Sequence, residues 1–422
     1  MPLREVVSQR HETVAVTGSF GDWTPITVHL TGEVSARNRQ APYKGSMFAV
    51  YPGDIVFSKI DARNGAIGIL PSEISKAVVT PEFPAFIPHP DRLDGEFVKL
   101  ILRTGGFLAA LRRQASGTSG RKRITPEAFL DLRIPLPSLT EQQSIVASYR
   151  VMLSRAKELE REAEEIETKA TAAFETALGF DPPKPLPARP VFVVSFKDLD
   201  RWSHEGILRT TLHLEDKEPK FPIVELGTVG KVSYGLQKSP ANRPGTHPRP
   251  YLRVANVQRS RLDLAEIKMI NVPDEDMPKY RLEDGDVLLC EGNSAELVGR
   301  GAIWRNEIPH CVHQNHVLRA RMDTSKVIPE FVLSVINLSY GQAYFRSKAK
   351  HTTNLASINS KEVSRFPLPL PPLSEQQRLI DKLFRGDKEA ERLHQEATAT
   401  RTRAWTDFET AVYATDEAVK AR

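Results

Sequence analysis

The sequence predicts an α+β protein made twice: two globular bodies joined by two long helices that form an antiparallel coiled coil, with a pseudo-twofold internal repeat. Three observations predict it. Leu139-Thr140-Glu141-Gln142-Gln143 returns 234 positions later as Leu373-Ser374-Glu375-Gln376-Gln377, preceded in both copies by Pro-Leu-Pro (135–137, 369–371) and followed by Phe-Glu-Thr-Ala (174–177, 408–411). A repeat of that length is a duplicated domain pair and not a solenoid. Each copy then opens a sustained apolar alternation by four and three, the period of a helix seam. Between the copies lie short β-branched runs, Gly and Pro turns and short helical stretches, the pattern of compact mixed domains.

The first body, residues 1–135, contains Gly53-Asp54-Ile55-Val56, which answers Gly285-Asp286-Val287-Leu288, and a helix expected from Gly95 to Arg112. Pro135 and Pro137 mark its exit. Thr140 and Ser374 are the expected N-caps of the long helices, with Glu141 and Glu375 favourable to the helix dipole. The first seam, within 136–180, runs Ile145, Tyr149, Met152, Ala156, Leu159, Ala163, Ile166, Ala170, Ala173, Ala177. The second, within 369–422, runs Leu379, Leu383, Gly386, Ala390, Leu393, Ala397, Thr400, Ala404, Asp407, Ala411. Small seam residues let helices approach closely, so the copies are expected to pair with each other. Gly179 is expected to end the first helix, and five prolines between Asp181 and Pro190 mark a linker, 181–196. The second body, 197–368, shows strand-like runs at Ile223–Leu226, Asp286–Leu289 and His316–Arg319, then a helix from Pro329 to about Ala343.

The composition, 40% apolar and 26% charged over 422 residues, is that of a globular protein. No segment is apolar enough to cross a bilayer, and Met1–Arg10 lacks the apolar core of a signal peptide, so a cytoplasmic location is expected. Two cysteines, Cys290 and Cys311, make neither a disulfide framework nor a CxxC zinc site. Positive charge sits on the bodies: 17 Lys+Arg against 13 Asp+Glu in residues 1–140, and 26 against 21 in 186–372. The helical segments are acidic, with 6 against 9 in 141–185 and 9 against 10 in 373–422. That division suits modules that meet a polyanion and connectors that do not.

Catalytic signatures are incomplete. Asp181-Pro182-Pro183-Lys184 resembles the base-gripping loop of amino-DNA methyltransferases, but Lys184 stands where the stacking aromatic belongs. Asp263, Glu266 and Lys268 could mimic a nuclease metal centre, at too tight a spacing. His310, Cys311, His313 and His316 lack a second ligand pair, and strand alternation turns His313 and His316 to opposite faces, so no metal site is expected. The alternatives are a self-contained DNA nuclease or methyltransferase, and a coiled-coil protein adaptor.

The remaining polar loops suit nucleic acid. In the first body Arg112, Arg113, Arg121, Lys122 and Arg123 flank a flexible stretch with Thr118 and Ser119, cations around hydroxyls as phosphate-wrapping loops have them. The matching part of the second body is Arg346, Lys348, Lys350, His351, Thr352, Thr353 and Asn354. Further candidates are Lys59, Asp61, Arg63 and Asn64, and Gln237, Lys238, Arg243 and Arg249. Arg and Lys pair with phosphates, whereas Asn, Thr or His can reach base edges.

These residues converge on one pattern: the chain resembles the specificity subunit of type I restriction-modification systems. The doubled Pro-Leu-Pro…Leu-x-Glu-Gln-Gln entry carries the resemblance, with Tyr251-Leu252-Arg253-Val254-Ala255-Asn256-Val257, the duplicated Gly-Asp step, and Ser58-Lys59-Ile60-Asp61-Ala62-Arg63-Asn64-Gly65-Ala66-Ile67-Gly68. The resemblance implies that each body is a target-recognition domain reading half of a bipartite double-stranded DNA site. It implies that the helices set the gap between halves and dock two modification subunits. Those partners would hold S-adenosylmethionine and methylate adenine, and motor-nuclease subunits using ATP and Mg²⁺ would cleave; this chain itself would hold no cofactor and be non-catalytic. One departure is that the first body shows no counterpart of Tyr251–Val257 near residue 17.

Overall fold

A computed structural model describes residues 1–16, 19–38, 45–114, 123–180, 219–237, 245–294, 297–351 and 356–420. The chain divides into two compact units, Met1–Glu160 with His394–Arg422, and Arg161–Leu393. Each unit therefore contains one globular body and a stretch of both long helices, Leu139–Leu178 and Leu373–Lys420.

The central sheets of the two bodies have the same topology. In the first unit the antiparallel order is Val7–Gln9, Ala85–Pro88, Ile55–Phe57, Ile67–Ile69; in the second it is Gly230–Ser233, Val317–Met322, Val287–Cys290, Gly301–Ile303. In both, the fourth strand in sequence lies between the first and the second. Ile55, Val56 and Phe57 are fully buried, as are Val287, Leu288 and Leu289, because these strands are covered on both faces. Phe57, Phe86, Phe97 and Phe129 fill the first core; Phe331, Phe345 and Phe366 fill the second.

Each unit also has a sheet with a parallel pairing: Tyr251 and Leu252 lie beside Val312 and His313, and Thr24 and Pro25 lie beside Ala77 and Val78. Thr24–Val28 thus takes the place of the strand the sequence left without a counterpart. It escapes notice because its residues differ and its offset from Pro248–Leu252 is not 234.

The single helices expected at 95–112 and 329–343 are each two: Gly95–Ile101 and Gly105–Gln114, Pro329–Asn337 and Ser339–Lys348. Leu338, with ψ 164°, is extended and breaks the second pair. In the first pair Thr104 Oγ1 accepts the Phe107 N–H, restarting the helix.

The first long helix is capped two residues earlier than expected. Ser138, not Thr140, caps it: Glu141 N–H donates to Ser138 Oγ at 3.4 Å while Ser138 N–H donates to Glu141 Oε2 at 2.8 Å, a reciprocal capping box. The second helix also starts early, at Leu373; Pro372 takes the place of Ser138, and its carbonyl accepts from the Glu375 and Gln376 N–H groups. Gly179, at φ 88°, closes the first helix as the sequence predicts, with Gly179 N–H on Thr176 O and Phe180 N–H on Glu175 O, both bonds of a Schellman motif.

Within each unit the helices run antiparallel. In the first, Tyr149 packs on Trp405 and Phe408, and Glu160 pairs with Arg401. In the second, Gly386 lies against Ala170 and Ile166. Ala156, Leu159, Ala163, Leu379, Leu383, Ala390, Leu393, Ala397 and Ala404 are buried, and Ile145, Tyr149, Met152 and Ile166 are half-buried. Asp407, placed on the seam by its spacing, is exposed; Phe408 and Val412 are buried instead, because there the helix also packs into the first core.

The Phe-Glu-Thr-Ala repeat marks that change of partner. Phe408 lies 6.1 Å from Phe97, and Phe174 lies 6.0 Å from Phe331. Beside them Gly105 N–H donates to Glu409 Oε1 at 2.9 Å, and Ser339 Oγ donates to Glu175 Oε1 at 2.6 Å. Each body is therefore closed by the end of the helix that begins beside the other.

Candidate nucleic-acid interface

In the first unit the structure gathers several of the residues singled out above. Lys59 precedes the short turn Ala62–Asn64, closed by Gly65 at φ 108°, where a side chain would collide with the Leu30 carbonyl. Arg112 Nε donates to the Arg63 carbonyl at 3.0 Å, so the end of helix Gly105–Gln114 is tied to this loop. Lys59, Arg63, Asn64, Arg112 and Arg113 thereby share one region, with Arg112 and Arg113 exposed in the last helical turn. Arg123 lies 3.4 Å from Glu82. Thr118, Ser119, Arg121 and Lys122 fall outside the described residues.

Beneath this region lies Arg103, which the sequence reading missed. Its guanidinium donates to the carbonyls of Gly65 (2.9 Å) and Ile67 (2.8 Å), and burial pushes its pKa down. It braces the loop from inside.

In the second unit Arg346 and Lys348 are exposed at the end of helix Ser339–Lys348, and Lys350–His351 pairs as a strand with Ala356–Ser357. Arg249 pairs with the exposed Asp274. Lys238, Arg243, Thr352, Thr353 and Asn354 fall outside the described residues, and of His351 only the backbone is described. The Asp181–Lys184 segment and the linker also lie outside.

The acidic and histidine motifs are absorbed into structure. Glu266 pairs with Arg253 and Lys268, which hold its carboxyl below the usual range, and Asp263 accepts the Ala265 N–H. Burial pushes the Cys311 thiol up to about 12. His313 is fully buried, whereas His316 is exposed and lies 2.6 Å from Glu291. Among the described residues no group of three or more His, Cys, Asp or Glu could hold a metal ion.

Gln237 stands at the rim of a feature the sequence reading did not anticipate, a half-open cleft of about 730 Å³. Arg319 and Arg321 reach it from one strand, Lys231 and Ser233 from the neighbouring strand, Lys279 and Tyr280 from the short helix Met277–Tyr280, and Asn315 from a turn. Arg321 makes a bidentate pair with Asp286 (2.7 and 2.8 Å) and lies 2.6 Å from Glu283. Arg319 is only 7% exposed and donates to the Arg281 carbonyl at 2.8 Å; among the described residues it has no carboxylate partner, and its Nε is unsatisfied. Burial and the neighbouring Arg321 lower its pKa, with Asp286 and Glu283 opposing them in part. The contributing residues span 231–321, too scattered for a motif search. The signal that could have found them is Arg319 and Arg321, two apart within the apolar strand Val317–Met322 and hence on one face.

No family model matches the chain. A putative type I restriction enzyme MjaX specificity subunit of Methanocaldococcus jannaschii is 30% identical over 131 residues, 31% of each chain. The type I restriction enzyme EcoKI specificity subunit of Escherichia coli is 22% identical over 349 residues, 79% of this chain and 68% of that one. The match thus spans about a third of the first relative's length. In fold, the chain aligns with a solved chain described under the structural basis of complex assembly and conformational transition of the type I R-M system: TM-score 0.60, 17% identity, 98% of this chain and 96% of that one. The resemblance carried by the doubled Glu-Gln-Gln entry is borne out: the chain is similar in sequence to type I restriction enzyme specificity subunits and in fold to a chain of a type I R-M system.

Proposed function

We propose that the chain is the DNA-reading, non-catalytic specificity subunit of a cytoplasmic type I restriction-modification assembly. Residues 1–135 and 197–368 are target-recognition domains for the two halves of a bipartite site, 136–180 and 369–422 are the spacers, and 181–196 is the linker. The observation that carries this reading is the duplicated body with one sheet topology, each copy presenting clustered cations beside polar loops. Two modification subunits, carrying S-adenosylmethionine, dock on the helices and methylate adenine; motor-nuclease subunits using ATP and Mg²⁺ complete the assembly. Lys59, Arg63, Asn64, Arg112, Arg113 and Arg123 in the first unit, with Gln237, Arg249, Arg346, Lys348 and Lys350 in the second, are among the described residues that meet DNA.

The chain reconstituted with its modification subunits should give a footprint of two protected blocks, with affinity falling steeply as salt rises. One contiguous block, or binding indifferent to salt, overturns the proposal. The purified chain alone with DNA and Mg²⁺, or with labelled S-adenosylmethionine, should turn nothing over; turnover would favour a self-contained nuclease or methyltransferase instead.

A further inference from the structure

Resting on that reading, we infer that the cleft floored by Arg319 is a backbone-phosphate site, where the second unit anchors one strand of duplex DNA. A cation withdrawn from water is costly unless a counter-charge meets it. Arg321, its neighbour on the same strand, has Asp286 and Glu283; Arg319 has a single carbonyl and an unsatisfied Nε. The cleft has no carboxylate in its lining, so the missing anion is not supplied from its walls.

The surroundings define the ligand. Lys231 and Lys279 stand at the edges, neither in a salt bridge among the described residues, although Lys279 lies over the Tyr280 ring and feels Asp276; an anion entering the cleft meets three cations that no ion pair among the described residues neutralises. The cleft is half open and therefore admits a point on an extended polymer as readily as a small ion. Gln237 and Asn315 line it beside the cations. Carboxamides pair with base edges, adenine best, while an adjacent guanidinium holds the phosphate. Fixed positive charge with amides at its margin suits a nucleic-acid strand better than a lone phosphate ion. Arg321 belongs to the wall: its pairs with Asp286 and Glu283 hold the strand, and those carboxylates reach Arg319 only as a weaker field that opposes the effect of its burial without pairing with it.

The test is binding of the chain reconstituted with its modification subunits to a mixed-sequence duplex of about 40 base pairs, followed by fluorescence anisotropy between 20 and 200 mM salt. Arg319→Gln should weaken binding by roughly tenfold and flatten the log–log salt slope by about one unit, as loss of one phosphate contact does. Arg319→Lys, which keeps the charge, should recover part of it. Lys231→Gln with Lys279→Gln alters only exposed rim groups and carries the test if Arg319→Gln misfolds; it should also weaken binding and flatten the slope. Lys361→Gln, an exposed cation outside the cleft, is the control for general loss of charge. If the wild-type complex binds DNA and the cleft variants lose no more than the control, the cleft assignment is wrong and the DNA-reading role stands. If the wild-type complex shows no salt-dependent binding even at 20 mM, both fall together.

Discussion

The side-chain oxygen of Gln142 accepts the backbone N–H of Asp94 at 2.9 Å, while its nitrogen donates to the carbonyls of Arg92 (2.8 Å) and Pro137 (3.0 Å). Gln376 does the same 234 residues later, with Ile328 N–H (2.9 Å), Lys326 O (3.2 Å) and Pro371 O (2.8 Å). Both glutamines are completely buried. The first glutamine of the Glu-Gln-Gln motif is thus a clasp that fastens the start of a long helix to the start of a body helix. Truncating it leaves three backbone groups, one buried and two part-buried, without this partner. Gln142→Ala and Gln376→Ala should each lower the unfolding free energy by about 1–3 kcal/mol. Gln143→Ala, at an exposed position, should change it by less than about 0.5 kcal/mol. Equal effects at 142 and 143 in denaturant titrations would remove the clasp.

Gly386 sets the helix separation in the second unit. A Cβ built there would lie 2.6 Å from the Cβ of Ala170, too close for any real pair. Gly386→Leu should therefore destabilise by about 1–3 kcal/mol through overpacking. Gly386→Ala combines a helix-propensity gain of about 1 kcal/mol with a smaller clash, and so should come out near neutral. Ala170→Gly should relieve the Gly386→Leu defect in part. A double variant no more stable than the sum of its two single changes would show that this contact does not govern the packing.

The elements legible in the sequence were those whose pattern is local. The four-and-three alternation marked the helix seam through Ala404, and failed at Asp407 because Phe408 there serves a second surface, the first core. Gly53-Asp54 and Gly285-Asp286 stood out as a repeat, and their use is now physical. Each Gly takes positive φ, each Asp accepts an N–H three residues back, from Tyr51 and from Glu283, and each Asp receives a bidentate arginine. Those arginines come from different places, Arg10 just after the strand Val7–Gln9 and Arg321 within Val317–Met322, so no displacement of the sequence onto itself could pair them. The cleft was illegible for the same reason: Lys231, Lys279 and Arg319 become neighbours only when the sheet forms.

His313 makes the second unit sensitive to mild acid. Its ring is completely buried, Nδ1 lies 2.7 Å from the Val317 carbonyl, and Nε2 has no partner. Burial pushes its pKa from 6.5 to about 4; among the charges around it, Arg319 and Arg321 lower the value further and Asp286 opposes them. The unfolded chain therefore binds a proton that the folded one refuses between those values. Stability is complete above about pH 6.5 and declines as pH falls toward 4, by up to roughly 3 kcal/mol. His313→Gln, which has nothing to protonate, should flatten that part of the profile. Parallel unfolding profiles for the two proteins between pH 4.5 and 7 would assign the acid sensitivity to other groups.

The proposed function makes the long helices a ruler, and a ruler can be cut. The first has 40 residues and the second 48, and neither carries a proline after its first turn. Removing one turn from each shortens it by about 5.4 Å, the rise of one to two base pairs at about 3.4 Å each. Selection of preferred sites from a random duplex pool, using the reconstituted complex, should then return the same two half-sites with the gap changed by one to two base pairs. The half-sites should persist because neither body is altered, whereas a docking role alone would change activity without changing the gap. An unchanged gap in an active shortened complex means that the spacing is set elsewhere than in the helices.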